Sequence, residues 1–248
     1  MALGKSKNLM ESKMSTKKIL MVFMGGDRNL DVALEQSKKI AQKFQTKALL
    51  TKSAEKIIGE QKIRRSTGIN DVILDDGRQN PIEISGWADL LVVPVLTLNG
   101  LSKIANLEPD SLHSNVIIGC LEKGIPVVVS KDSIWCSCYP EPQKGSPLYT
   151  KVEDFLAQIK SFGIKITSAK DLSKEVFDII ESDIQKKYEV TYGSSGKAFE
   201  KSTLKTTYGS AGKAFEPSTI KTTYGTAGKE FSTNIAKFGP IISDICPA

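Results

Sequence analysis

Short, mostly apolar runs alternate along this chain with longer helical patterns. Residues 19–24, 47–50, 90–95 and 125–129 read as strands, and their apolar residues fall in unbroken runs. A strand covered on one face only would alternate apolar with polar, so these strands are expected inside a sheet packed on both sides. The first helix pattern covers 29–44, with Val32, Ala33, Ile40, Ala41 and Phe44 on its apolar side. Ser111 is read as the cap of a second helix reaching Lys123, with Leu112, Val116, Cys120 and Leu121 along one side and Gly124 closing it. Residues 144–187 give two more helices around a short strand at 164–166. Their apolar sides are Val152, Phe155, Leu156 and Ile159 on one, and Val176, Phe177, Ile179, Ile180 and Ile184 on the other. Residues 64–80 read as polar loop, interrupted by Gly68 and Gly77, with an edge strand at 71–74; residues 82–84 read as a short strand leading into Trp87. Such alternation predicts an α/β fold, a doubly wound parallel sheet with helices on both faces.

After Tyr188 the text changes. VTYGSSGKAFEKSTLKT, TYGSAGKAFEPSTIKT and TYGTAGKEF repeat at a period of 16, placing Tyr192, Tyr208 and Tyr224 in one register and Phe199, Phe215 and Phe231 in another. The Gly-x-x-Gly-Lys within each copy lacks the spacing and the following Ser or Thr of a phosphate-binding P-loop. Each repeat is too poor in apolar residues to fold by itself. The expected organisation is therefore a leader over 1–16, a folded domain over 17–187 and a low-complexity repeat tail over 188–248. The tail is read as flexible, with a small β-array as the other reading. The same division accounts for the charge. The net +6 belongs to the ends, because residues 19–187 carry 22 basic and 22 acidic side chains. No basic face interleaved with aromatics is present to suggest nucleic acid.

Candidate chemistry gathers where strands end. After the buried run 90–95, Thr97, Asn99 and Gly100 bring a hydroxyl, an amide and bare backbone to the start of a helix, whose unpaired N–H groups favour an anion. Many such units carry the same residues only to cap the helix. Gly25 and Gly26 after the first strand would let a ring or phosphate approach the backbone. Asp27 and Asp31 oppose a phosphate there, so this turn is expected to line a pocket rather than hold an anion. Thr51, at the end of the second strand, offers a hydroxyl to the same region or simply caps the next helix.

The stretch WADLLVVPVLTLNGLSKIANLEPDSL resembles the FMN-binding flavoprotein family that includes phosphopantothenoylcysteine and peptidyl-cysteine decarboxylases. Trp87, Ala88, Asp89, Thr97, Asn99, Lys103, Ile104, Ala105, Asp110 and Leu112 fall in that family's places without a gap. Val95, Gly100 and Ser111 depart from it. Thr51-Lys52-Ser53-Ala54 is similar to the family's Thr-x-x-Ala segment. The resemblance, over about residues 17–135, implies a Rossmann-like flavoprotein fold, FMN as cofactor rather than NAD or FAD, and a homo-oligomer, a trimer with FMN near a subunit interface. The pattern of residues and the resemblance together give Gly25, Gly26, Thr51, Thr97, Asn99 and Gly100 as the expected cofactor-binding residues, Gly100 on its position at the helix start alone. The family's decarboxylases also place a catalytic His six residues before the Trp and a Pro-Ala-Met-Asn segment after the next strand. Here Pro81 and Lys131-Asp132-Ser133-Ile134 stand in those positions.

The remaining residues narrow the classes. Cys120, Cys136, Cys138 and Cys246 do not make a disulfide framework, and with only His113 beside them a Cys/His metal site is not expected. Cys120 is read as core; Cys136 and Cys138 are read either as unrelated loop cysteines or as a pair suited to thiol exchange. No apolar run approaches the roughly 20 residues of a membrane helix, and a cytoplasmic location is expected. The expected function is an FMN-binding flavoprotein of redox or electron-transfer type and not a decarboxylase. The other readings are a non-catalytic scaffold or bacterial microcompartment cargo attached through Tyr192, Tyr208 and Tyr224, and a cysteine-derivative decarboxylase with a displaced base.

Overall fold

The computed structural model describes residues 16–138, 141–187, 191–192 and 198–199. The chain divides into two compact units, Met1–Ser182 and Asp183–Ala248.

The first unit is built on a six-stranded sheet. Its strands are β1 (Lys18–Phe23), β2 (Gln45–Leu50), β3 (Asp71–Leu74), β4 (Leu90–Val95), β5 (Val127–Ser130) and β6 (Lys165–Thr167), in the order β3-β2-β1-β4-β5-β6. Every pairing is parallel. The helices between them are α1 (Leu30–Ala41), α2 (Lys52–Ile57), α3 (Glu60–Thr67), α4 (Pro81–Trp87), α5 (Leu98–Ala105), α6 (Leu112–Glu122), α7 (Pro147–Ser161) and α8 (Leu172–Lys187), the last extending past the first unit. This is the doubly wound arrangement that the alternating pattern predicts.

The two central strands explain the apolar runs. Residues 19–23 of β1 and all of β4 are buried, because helices cover both faces. Asp89 sets their register: its carboxylate accepts the Lys18 amide at 2.9 Å, and its own amide donates to Lys18 O at 2.8 Å. Pro94 lies inside β4, where it has no N–H for the ladder. The pairing with β1 slips there, from Met21 opposite Val92 to Phe23 opposite Val95, the irregularity a proline in a central strand requires. Trp87 receives Lys47 and Lys18 over its ring, at 4.8 and 5.9 Å from the centroid.

Four local expectations need correction. Residues 82–84 are helix, not strand: Pro81 occupies the first turn of α4 and the Asn80 side chain accepts the Ile82 amide at 3.0 Å, so a cap and a proline at a helix start outweigh three alternating residues. Residues 64–67 are the last turn of α3 rather than loop, held by Arg64 on Glu60 and by burial of Ile63 and Thr67. Val32 is 37% exposed, and Leu30 and Leu34 take its place on the buried side of α1. The strand expected at 125–129 begins two residues later, at Val127. By contrast, β3 is an edge strand as expected, and Val116 and Cys120 of α6 are fully buried.

The second unit contains the antiparallel pair β7 (Thr191–Tyr192) and β8 (Ala198–Phe199). Tyr208, Tyr224, Phe215 and Phe231 lie outside the described residues.

Candidate functional site

β1 and β4 are neighbours, yet the chain leaves β1 toward β2 and β3 and leaves β4 toward β5 and β6. In open α/β sheets the crevice for a ligand lies beyond the carboxyl ends of the strands at which the order reverses, here β1 and β4. Thr97, Asn99, Gly100, Gly25, Gly26 and Thr51 all belong to segments at this edge of the sheet.

On the β4 side, Thr97 caps α5. Its Oγ1 accepts the Gly100 amide at 3.2 Å and lies 3.8 Å from Met24 Sδ, while Thr97 O accepts the Leu101 amide at 2.8 Å. The amides of Leu98 and Asn99 find no acceptor among the described residues, as helix starts dictate. The Asn99 side chain is exposed beside them. Thr51 plays the matching part on α2, where its Oγ1 accepts the Ala54 amide at 3.1 Å and meets Ser53 Oγ at 3.1 Å. The helix starts differ in charge: α1 carries Asp31 and α2 carries Glu55 in the first turn, and α5 carries no acidic residue there. Of these three, the start of α5 is the one suited to an anion.

The glycines serve contacts within the protein. A β-carbon on Gly25 would meet Ser53, one on Gly26 would meet Val95 and Ser133, and one on Gly100 would meet Met24. Their small size thus lets the loops after β1, β2, β4 and β5 close on one another. The Gly25-Gly26 turn is also tied to the segment after β5. Ser133 Oγ donates to Arg28 O at 2.6 Å, Ser137 donates to Asp27 through its amide at 3.0 Å and again through its hydroxyl, and Arg28 pairs with Glu141 at 2.9 Å. The Ser137 bonds hold the Asp27 carboxyl below its usual range.

Several groups here were not foreseen from the sequence. Ser130 Oγ, at the carboxyl end of β5, is buried without a hydrogen-bond partner among the described residues. His113, in the first turn of α6, is 8% exposed; its Nε2 lies 3.4 Å from Ser111 Oγ, and its Nδ1 has no partner. Burial, then the nearby Lys103 charge, pushes its pKa down against the pull of Asp75 and Asp110, so the imidazole is neutral at pH 7. Both signals are invisible in one dimension, since a lone Ser or His becomes unusual only once its surroundings are known to be dry. In the positions of the decarboxylase signatures, Pro81 is a helix start, Asp132 accepts the Ala169 amide at 2.7 Å, Ser133 holds Arg28 and Ile134 is buried. Cys136 and Cys138 are joined as a disulfide, and Cys120 is a buried free thiol. Among the described residues no cluster of metal-ligating side chains is found, and no helix is long and apolar enough to cross a membrane.

This architecture recurs in solved structures. The cysteine decarboxylase TvaF from thioviridamide biosynthesis, described as FMN-dependent, is 16% identical over 67% of this chain and 98% of its own, with a TM-score of 0.52. MrsD from a Bacillus species is 18% identical over 69% and 98% of the two chains, with a TM-score of 0.52. A mutant PPC decarboxylase is 19% identical over 67% and 99%, with a TM-score of 0.50. At such identities the likeness concerns the fold. No curated protein sequence matches significantly. The family profile described as Flavoprotein matches residues 11–186, which takes in the whole sheet and the crevice at its switch point. The chain belongs to the flavoprotein family.

Proposed function

We propose that this flavoprotein binds FMN in the switch-point crevice, with the phosphate at the start of α5, and that it serves electron transfer rather than decarboxylation. The observation that carries the reading is the donor set at that helix start: two unpaired amides, the Asn99 side chain and no carboxylate in the first turn. A phosphate monoester fits such a set. Ser130 Oγ, buried and unpartnered, is a further donor at the same edge of the sheet. The Gly25-Gly26 turn, kept acidic by Asp27, lines the crevice away from the phosphate. Flavin supplies two-electron and one-electron chemistry when bound. The protein's own part is to anchor the phosphate and shape a closed edge through the loops tied at Ser53, Ser133 and Ser137. Pro81 can neither take nor give a proton, and Asp132 and Ser133 are engaged in holding loops together, which supports the non-decarboxylating reading. A homo-oligomer and attachment through the repeats of Tyr192, Tyr208 and Tyr224 complete the proposal.

Fluorescence titration with FMN tests the site. Asn99→Leu removes a donor from the phosphate position and is expected to cost about 1 to 3 kcal/mol, roughly 5- to 150-fold in affinity. Wild-type affinity in both Asn99→Leu and Thr97→Val would refute the placement.

A further inference from the structure

We propose that Cys136 and Cys138 form a thiol–disulfide exchange site for low-molecular-weight thiols at the rim of the crevice. Three features of the segment point there. The bond joins residues only two apart, so it closes too short a loop to restrict the unfolded chain as a structural disulfide does. It is accessible, with Cys138 exposed and Cys136 half-buried, and exposed disulfides are the exchangeable ones. It is also held in place. Ile134 is buried and Trp135 packs on the core just before it, and Ser137 between the two cysteines is fastened to Asp27 by two hydrogen bonds. Those bonds set the pair beside the Gly25-Gly26 turn.

The two sulfurs are not equivalent. The Cys138 amide donates to Cys136 Sγ at 3.1 Å. A donor on sulfur stabilises a thiolate, which makes Cys136 the better leaving group, while the exposed Cys138 is the sulfur open to attack. In the exchange, an incoming thiolate forms a bond to Cys138 Sγ and the Sγ–Sγ bond breaks, its electron pair staying on Cys136, which then takes a proton. A second thiolate attacks the incoming sulfur of the mixed disulfide, and the pair of that bond leaves on Cys138, which is protonated in turn. The disulfide gains two electrons and two protons, and two thiols leave as one disulfide. None of this requires the flavin, so the site stands or falls separately from FMN binding.

The test equilibrates the full-length, native, flavin-free protein in buffers of graded reduced-to-oxidised glutathione. Samples are quenched in acid, alkylated with N-ethylmaleimide in denaturant, and the tryptic peptide 132–144, which contains both cysteines, is weighed. The expected result is a reversible transition from no label to two labels per peptide, with its midpoint inside the glutathione range. At equilibrium the ratio of doubly labelled to unlabelled peptide should follow the square of the reduced glutathione concentration divided by that of oxidised glutathione, as two-thiol exchange demands. Cys120, on a different peptide, is the control that all samples were fully alkylated. A peptide that stays unlabelled at the most reducing ratio would make the bond structural and overturn the proposal. Full labelling at the most oxidising ratio, or a bond from either residue to Cys246, would overturn it as well.

Discussion

Met24 Sδ sits in the space that a β-carbon on Gly100 would need. This contact packs the end of β1 against the first turn of α5. Gly100→Ala should destabilise the protein by about 1 to 3 kcal/mol, because Met24 is 2% exposed and has little room to retreat. Met24→Ala alone should cost about 2 to 5 kcal/mol through the cavity it leaves. The double variant should lose less than the sum, since the shortened residue 24 makes room for the new methyl. Urea denaturation of the four proteins reads the coupling, and strict additivity would show that the two side chains do not share that space.

Burial of His113 makes stability depend on pH. Its folded pKa lies below the ordinary 6.5, so between those two values the unfolded chain binds more protons than the folded one. Stability is then fully present above pH 6.5 and falls as the pH drops through the window beneath it. Urea midpoints at pH 7.5 and 5.5 should show this loss in the wild type, and His113→Gln should flatten the slope between the two pH values. An unchanged slope in the variant would assign the pH dependence to other groups.

Cys120 should be inert. Burial pushes its thiol up to about 12, so at pH 8 roughly one molecule in ten thousand carries the thiolate that reacts. Peptide mapping after maleimide treatment should find Cys120 unlabelled in native protein and fully labelled after denaturation. Rapid native labelling would mean that α6 opens from the sheet.

Purified protein loaded with FMN should release no carbon dioxide from phosphopantothenoylcysteine or from a peptide ending in Cys. Pro81, Asp132 and Ser133 have structural tasks in the positions where the decarboxylase signatures stand. Turnover above that of free FMN would restore decarboxylation as the function and would direct attention to His113, a buried imidazole with a free Nδ1.

The sequence by itself determined the sheet and its class. Runs such as 90–95 and 19–24 can be buried on both faces only in the middle of a helix-covered sheet, and the strand-helix alternation then leaves little choice of topology. It also located the helix start at Thr97, because a capping hydroxyl after a buried strand is a local signal. Tertiary structure decided the rest. The partners of Gly25, Gly26 and Gly100 are Ser53, Ser133 and Met24, all distant along the chain, and no local pattern reveals which side chain fills a missing β-carbon. The same holds for Ser137 on Asp27, 110 residues apart, and for the dry surroundings that turn Ser130 and His113 from ordinary residues into unpartnered ones. Periodicity records which face of an element avoids water, whereas the groups that meet at a crevice are set by how several elements pack at once.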